Sequence, residues 1–189
     1  MRAWVLLVGV LLALSASAAD LSGRVVGVAD GDTLTVRVEG QPPVKVRLAG
    51  IDAPERDQPF GQRSRQSLSE LAFGQPATVM AQKIDDYGRT VGTVTVGGVN
   101  VETEQVRRGL AWVYRKYSND AQLLALEAEA KAARRGLWAD ANPLPPWDWR
   151  HGAKAAATPE SAPPRPAVAG RCGAKRPCGA MTSCAEARF

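Results

Sequence analysis

Arg47, Asp52 and Glu55 share one short stretch, Arg47-Leu48-Ala49-Gly50-Ile51-Asp52-Ala53-Pro54-Glu55. Asp52 and Glu55 stand three apart across Pro54, whose ring fixes the turn. Arg47 is a polar member of the alternating run Val44-Lys45-Val46-Arg47-Leu48. A strand end followed by a rigid turn can hold two carboxylates and a guanidinium close together. Asp32 lies just past the Asp30-Gly31 turn signal, at the start of the preceding strand. A hairpin from Thr33 to Leu48 brings it near residues 48–52. Three carboxylates in one place repel unless a cation fills the gap. All-oxygen donors suit Ca²⁺ or Mg²⁺. The expectation is that Asp32, Asp52 and Glu55 meet around one divalent ion, with Arg47 and Arg89 aimed at the same point.

Each of these residues has a plainer reading. Asp32 is also good turn chemistry, Arg47 a good solvated strand residue, and Asp52 a good Asx-turn residue. Glu55 suits open solvent, and Arg89 after Tyr87-Gly88 suits an ordinary turn. Composition and spacing do not choose between the two sets. Other chemistries are easier to set aside. The sole histidine, His151, sits at the edge of a polar tail, which argues against a His-based triad or a His-rich zinc centre. No phosphate-binding P-loop and no dinucleotide-binding glycine fingerprint occurs. An enzyme built from this chain works with carboxylates, arginines and a hard metal.

The elements that must position these groups read as short strands and three helices. Leu21 to Val28 is Val-rich, and Thr33 to Val38 alternates Leu34, Val36 and Val38 against Thr35 and Arg37. With Val44 to Leu48 they form a meander joined by tight turns. Phe60 to Phe73 reads as a helix, with Ser64, Leu68, Leu71 and Ala72 on one face and Gly74 as its stop. Ala77 to Ala81 and Thr90 to Val96 read as strands, separated by the Asp85-Asp86-Tyr87-Gly88 turn. Asn100 caps a helix to Arg108, its early Glu102 and Glu104 and late Arg107 and Arg108 suiting the helix dipole. Gly109 ends it. One of Ser118, Asn119 or Asp120 caps a third helix through Arg134, with Glu127 and Lys131 paired at i, i+4. Five strands and three helices make an α+β fold. A closed or partly closed barrel would remove the open edges of so few strands, but pattern alone does not choose between barrel and sheet.

The chain has 189 residues, room for one domain plus extras. Its 24 Lys and Arg against 19 Asp and Glu favour a polyanionic partner without naming one. Residues 1–19 read as a cleaved signal peptide. Arg2 gives the positive start, Trp4 to Leu14 the apolar stretch, and Ala16-Ser17-Ala18 the small residues for cleavage. The apolar stretch is too short to span a bilayer. Secreted or periplasmic localisation is therefore expected, with no membrane contact in the mature form. Residues 20–149 form the folded domain. Residues 150–170 are an Ala- and Pro-rich linker with too little apolar surface to order itself. All three cysteines, Cys172, Cys178 and Cys184, fall in residues 171–189, so the folded domain does not depend on disulfides.

Four segments together resemble the ordered motifs of the staphylococcal nuclease family. They are Val28-Ala29-Asp30-Gly31-Asp32-Thr33, Arg47 to Glu55, Asp86-Tyr87-Gly88-Arg89 and Arg108-Gly109-Leu110-Ala111. The likeness runs from about Leu21 to Trp138. It implies a five-stranded OB-fold barrel with three helices. It also implies hydrolysis of phosphodiester bonds in DNA and RNA with Ca²⁺ as cofactor. Asp32 and Asp52 match the family's metal-ligand carboxylates. Ala53 matches a position that ligates through its backbone carbonyl, so the absence of the usual Thr side chain there is tolerable. Glu55 matches the catalytic carboxylate that activates metal-bound water. Arg47 and Arg89 match the phosphate-binding arginines. Tyr87 and Tyr114 match aromatic positions near the nucleotide, and Trp112 stands where a Tyr is common. Trp112 offers either a stacking face or core packing. The loop after Glu55 is short and holds Arg56 and Asp57 where a long Lys-rich loop is usual.

Cys172, Cys178 and Cys184, with Lys175, Met181, Ala185 and Glu186, resemble the opening half of the excalibur region, an extracellular calcium-binding module. Without the fourth Cys and Asp-rich loop of that module, residues 171–189 are expected to be a partial module that does not bind calcium. A monomer is expected. Two rival readings use the same basic face: a catalytically silent nucleic-acid-binding module of the same fold, and an exported scaffold for cell-surface polyanions.

Overall fold

The computed structural model of this chain describes residues 20–152. The signal-peptide expectation, most of the 150–170 linker and the cysteine fragment lie outside the described residues.

Alternation builds the first three strands. β1 (Leu21–Val28), β2 (Thr33–Arg37) and β3 (Val44–Leu48) form the antiparallel meander read from the sequence. Leu34, Val36, Val46 and Leu48 turn inward and are fully buried, so the intervening Arg47 points outward. The short β4 (Ile51–Asp52) follows, then α1 (Gly61–Ala72), which buries Ser64, Leu68 and Ala72 at helical spacing. β5 (Pro76–Ile84) and β6 (Thr90–Val96) make a long hairpin. β5 continues three residues past the expected end at Ala81. A register shift between Ala81 and Lys83 absorbs one extra residue and lets the pairing go on.

After β7 (Val99–Asn100) comes α2 (Val101–Arg107), capped by Asn100, whose side chain accepts from Thr103 N at 2.7 Å. Gly109 takes a left-handed φ of 67° just past its end. β8 (Trp112–Val113) precedes α3 (Ala121–Ala132), for which Asp120 is the cap, accepting from Leu123 N at 2.9 Å. A 3₁₀ turn (Gly136–Ala139) and a short helix, α4 (Pro146–Arg150), complete the described residues. α4 is a fourth α-helix beyond the three expected, and it crosses the boundary placed after residue 149.

The strand order is β3-β2-β1-β5-β6, and β6 returns to β3. That last pairing is parallel, with Val46 opposite Thr90, Arg47 opposite Val91 and Leu48 opposite Gly92. The five strands thus close into the barrel of an OB-type α+β fold. Val25, Leu34, Val36, Val46, Leu48, Val79 and Val94 fill its interior. Fully burying each such side chain is worth roughly 1.5–3 kcal/mol. β4 pairs with β8 as a separate ribbon, Asp52 opposite Trp112. Among the described residues no helix is long and apolar enough to cross a membrane.

Candidate active site

Three ties place Asp32. The β1–β2 loop closes through Ala29 N donating to Thr33 O. Leu48 N donates to Asp32 O at 2.8 Å and fixes the loop on β3. Gln105, fully buried on α2, donates from Nε2 to Gly31 O at 2.8 Å and to Ser64 O at 3.1 Å. Gly31 is required here by crowding, not by a left-handed φ. A Cβ on it would run into Ser64 Oγ and stand 2.7 Å from Ala53 Cβ. The tight fit seats the Asp32 carboxylate against the next segment. Ala53 N donates to its Oδ2 at 2.9 Å, and Thr33 Oγ1 donates to its Oδ1 at 2.9 Å.

Arg47 spans the two buried aspartates. Its Nη1 lies 2.6 Å from Asp32 Oδ2 and its Nη2 2.8 Å from Asp52 Oδ1. One planar guanidinium therefore holds carboxylates from two different segments in a fixed relation. Asp52 itself is held on β4 by pairing with β8. Glu55 follows after Pro54, and Gln58 sets its backbone: Glu55 N donates to Gln58 Oε1 at 3.0 Å, while Gln58 Nε2 donates to Leu144 O at 2.6 Å. Asp32 and Asp52 thus meet on Arg47, and Glu55 follows three residues after Asp52.

They are joined by Arg150, which the sequence reading placed in the linker. Arg150 Nη2 lies 2.6 Å from Asp52 Oδ2, and Nη1 lies 2.7 Å from Glu55 Oε1 and 3.3 Å from Asp52 Oδ1. α4 carries it there. Trp149, buried on the same helix, donates from Nε1 to Asp57 Oδ1. A signal for α4 was present in the sequence. Pro145-Pro146 followed by Trp147 and Trp149 is a helix start with two large apolar side chains.

Arg89 is placed differently. Thr90 pairs with Val46, so Arg89 shares the outer barrel face with Arg47, one repeat further back along the strands. Its guanidinium Nε lies 2.8 Å from Asp85 Oδ2 and stacks over the Tyr87 ring at 5.4 Å. Asp85 Oδ1 also accepts from the backbone N–H of Tyr87 and of Arg89. Slight burial pushes the Asp85 carboxyl up. The Arg89 backbone and guanidinium donors outweigh this and hold it below the usual carboxylate range. Arg89 is therefore near the cluster on the barrel surface but paired within its own turn. Tyr87 is 85% exposed at the tip of that turn.

The two other aromatic candidates part company. Tyr114 N donates to Gly50 O, beside the Arg47–Asp52 segment. Its ring stacks on Trp147 with planes 5° apart and meets Tyr117 edge-on. Trp112 is buried, edge-on to Trp138 at 4.2 Å and to Trp147 at 5.8 Å, with Lys131 over both indoles of the Trp112–Trp138 pair. Of its two possible uses, stacking or packing, the structure gives Trp112 the packing one. Buried Glu127 on α3 steadies this side. Its Oε1 accepts from Val113 N at 2.9 Å, and its Oε2 pairs with Arg115 and Lys131.

Burial also sets the charges. Removal from water raises the Asp52 carboxyl, as does the nearby Asp32 charge, against the lowering pull of Arg150 and Arg47. Asp30, next to Asp32, is pushed up to about 6, first by burial and then by the Asp32 charge. Among the described residues no three Asp, Glu, His or Cys side chains converge tightly enough to cage an ion alone. Arg47 lies between Asp32 and Asp52, and Arg150 between Asp52 and Glu55. The donor set nevertheless fits a hard divalent cation. Two desolvated carboxylates, the adjoining Ala53 peptide and Glu55 are all oxygen donors, and Ca²⁺ accepts such sets with water completing the shell. Asp32, Asp52 and Ala53 would hold it.

The model of the staphylococcal nuclease homologue family matches residues 45–140 of this chain. An uncharacterised endonuclease of Escherichia coli O157:H7 is 43% identical over 152 residues, covering 80% of this chain and 99% of that protein. The micrococcal nuclease of Shigella flexneri is 45% identical over 147 residues, covering 72% of this chain and 84% of that protein. An uncharacterised endonuclease of Haemophilus influenzae is 44% identical over 131 residues, covering 69% and 74% respectively.

Proposed function

Because the chain belongs to the staphylococcal nuclease family, we propose that it is an exported, Ca²⁺-dependent nuclease acting on the phosphodiester bonds of DNA and RNA. One observation carries the reading. Arg47 holds Asp32 and Asp52 at 2.6 and 2.8 Å, with Glu55 reached through Arg150. A binding module needs cations that face phosphate. It has no need of three carboxylates gathered where phosphate must approach.

Bound calcium would act as a Lewis acid toward a phosphate oxygen and offset charge at the reacting centre. The chain's own groups do the rest. Asp32 and Asp52, fixed by Ala53 N and Arg47, present oxygens from a rigid frame. Glu55, held through Gln58, orients water and takes its proton as general base. Arg47 and Arg89 supply paired N–H donors to the phosphate oxygens, and these donors act most strongly as charge builds in the transition state. Arg89 must exchange Asp85 for phosphate to do so, and Arg47 must turn to phosphate the N–H groups that its aspartate contacts leave over. Tyr87 and Tyr114 offer ring faces to the bases. The mature protein works as a monomer, away from membranes, in the periplasm or outside the cell.

The test incubates the mature protein with plasmid and with single-stranded DNA or RNA, in Ca²⁺ or in chelator. Cutting that chelator abolishes is the expected result. Salt-sensitive retention of nucleic acid without cutting in either condition would leave a binding module instead.

A further inference from the structure

Arg150 covers Asp52, which the proposed metal must use, together with Glu55 beside it. Both oxygens of Asp52 accept from guanidinium groups: Oδ2 from Arg150 at 2.6 Å, Oδ1 from Arg47 at 2.8 Å and from Arg150 at 3.3 Å. The second Arg150 nitrogen takes Glu55 Oε1 at 2.7 Å. A divalent ion binding at ordinary oxygen distances would sit beside that guanidinium with like charge and little water between them. The two arginines differ in how firmly they are built in. Arg47 stands on a barrel strand, 17% exposed and tied to both aspartates. Arg150 is 39% exposed, on the last turn of a five-residue helix at the end of the described residues. The charge count separates them too. Asp32, Asp52 and Glu55 against Arg47 and Arg150 leave one negative charge. With Arg150 withdrawn the deficit is two, which is the charge of a divalent cation.

We propose that Arg150 is a resident counter-cation of the metal-free site, occupying Asp52 and Glu55 until a divalent ion displaces it, and so setting the affinity for that ion. In this role it is a positioning residue. It keeps buried Asp52 and part-exposed Glu55 together when no metal is present, and it makes metal entry conditional on its own departure. The inference rests on the metal reading of Asp32 and Asp52 above.

The experiment is a calorimetric Ca²⁺ titration of the wild-type protein, Arg150→Gln, Arg150→Lys and Asp52→Asn, without nucleic acid. Arg150→Gln should bind Ca²⁺ about 10-fold more tightly than wild type, within the usual range of coupling between two sites. Arg150→Lys should fall between them, since it keeps the charge and loses the fork. Asp52→Asn should lose binding. Unchanged or weaker binding by Arg150→Gln, with wild type binding and Asp52→Asn not, overturns the proposal and leaves the metal reading standing. No Ca²⁺ binding by wild type or by Arg150→Gln removes both. Should Arg150→Gln fail to fold, the side-chain Nε–H resonance of Arg150 in the wild-type protein decides. It must shift as Ca²⁺ is added, and a resonance indifferent to saturating Ca²⁺ refutes displacement.

Discussion

The carboxylate cluster and the β5–β6 turn both present an arginine to the same barrel face, but they are held in opposite ways. Arg47 bridges Asp32 and Asp52, and Asp32 binds Ala53 across 21 residues of sequence. The loop beneath is pinned by Gln105, 74 residues from Gly31. In the turn every polar contact of Arg89 is local, to Asp85 four residues back and to the Tyr87 ring. The cluster is fixed by the whole fold, and the turn only by itself. A site made of one rigid half and one adjustable half can hold its carboxylates preorganised and still let a bulky polymer enter and leave.

The sharpest way to break this contrast is to remove a carboxylate on each side and measure stability by urea denaturation. Asp52→Ala leaves Arg47 partly buried without one of its partners and should cost about 3 kcal/mol or more. A loss below about 1 kcal/mol would mean that the cluster is not structurally wired. Chemistry comes next. Glu55→Gln and Arg89→Lys should each lower turnover by roughly 10²-fold or more while the far-UV spectrum and melting temperature stay near wild type. Wild-type turnover in Glu55→Gln would take that residue out of the mechanism.

A third measurement probes the interior that backs the rigid half. Glu102 on α2 is buried, accepts from Val94 N at 2.9 Å through Oε1, and is pushed up to about 8 by that burial. Its folded value lies above its unfolded one, so the folded state holds the proton more firmly. The stability it contributes is complete below about 4.5 and is lost as pH rises toward about 8. Wild type should therefore lose stability relative to Glu102→Gln across that window, by on the order of 1 kcal/mol per pH unit. Parallel pH profiles for the two proteins would show Glu102 already ionised when folded. The smallest effect belongs to the turn: Asp85→Ala removes a part-buried but purely local i, i+4 pair and should cost no more than about 1 kcal/mol. A larger loss would erase the distinction between the halves.

The parts legible in sequence were those set by local chemistry. Asn100 caps its helix because its side chain reaches the N–H group three residues on, and of the three candidates Ser118, Asn119 and Asp120 it is Asp120 that does the same. Val44 to Leu48 alternates, so Arg47 had to oppose Val46 and Leu48. The Pro54 turn put Asp52 and Glu55 on one side of the chain. What escaped depends on distant partners. Parallel pairing of Val46 with Thr90 leaves no mark on either strand's pattern. Gly31 looked like a turn glycine, whereas its need comes from Ser64 and Ala53. α4 is too short to show periodicity, and its place follows from Trp147 against Tyr114 and Trp149 against Asp57. Arg150 consequently looked like the first residue of a tail. Glu127 was read as the partner of Lys131, which it is, but its grip on Val113 N needed the fold to be seen.

The parallel seam between β3 and β6 has a temporal consequence. The hairpins on either side join neighbours in sequence and can zip early, while the seam must bring residues 46 and 90 together across an intervening helix. Arg47 lies on one lip of that seam and Arg89 just before the other. Until it shuts, the chain owns both arginines but not their alignment. In a refolding experiment, cutting should return only with this final closure, after the hairpins have already declared themselves in the far-UV signal.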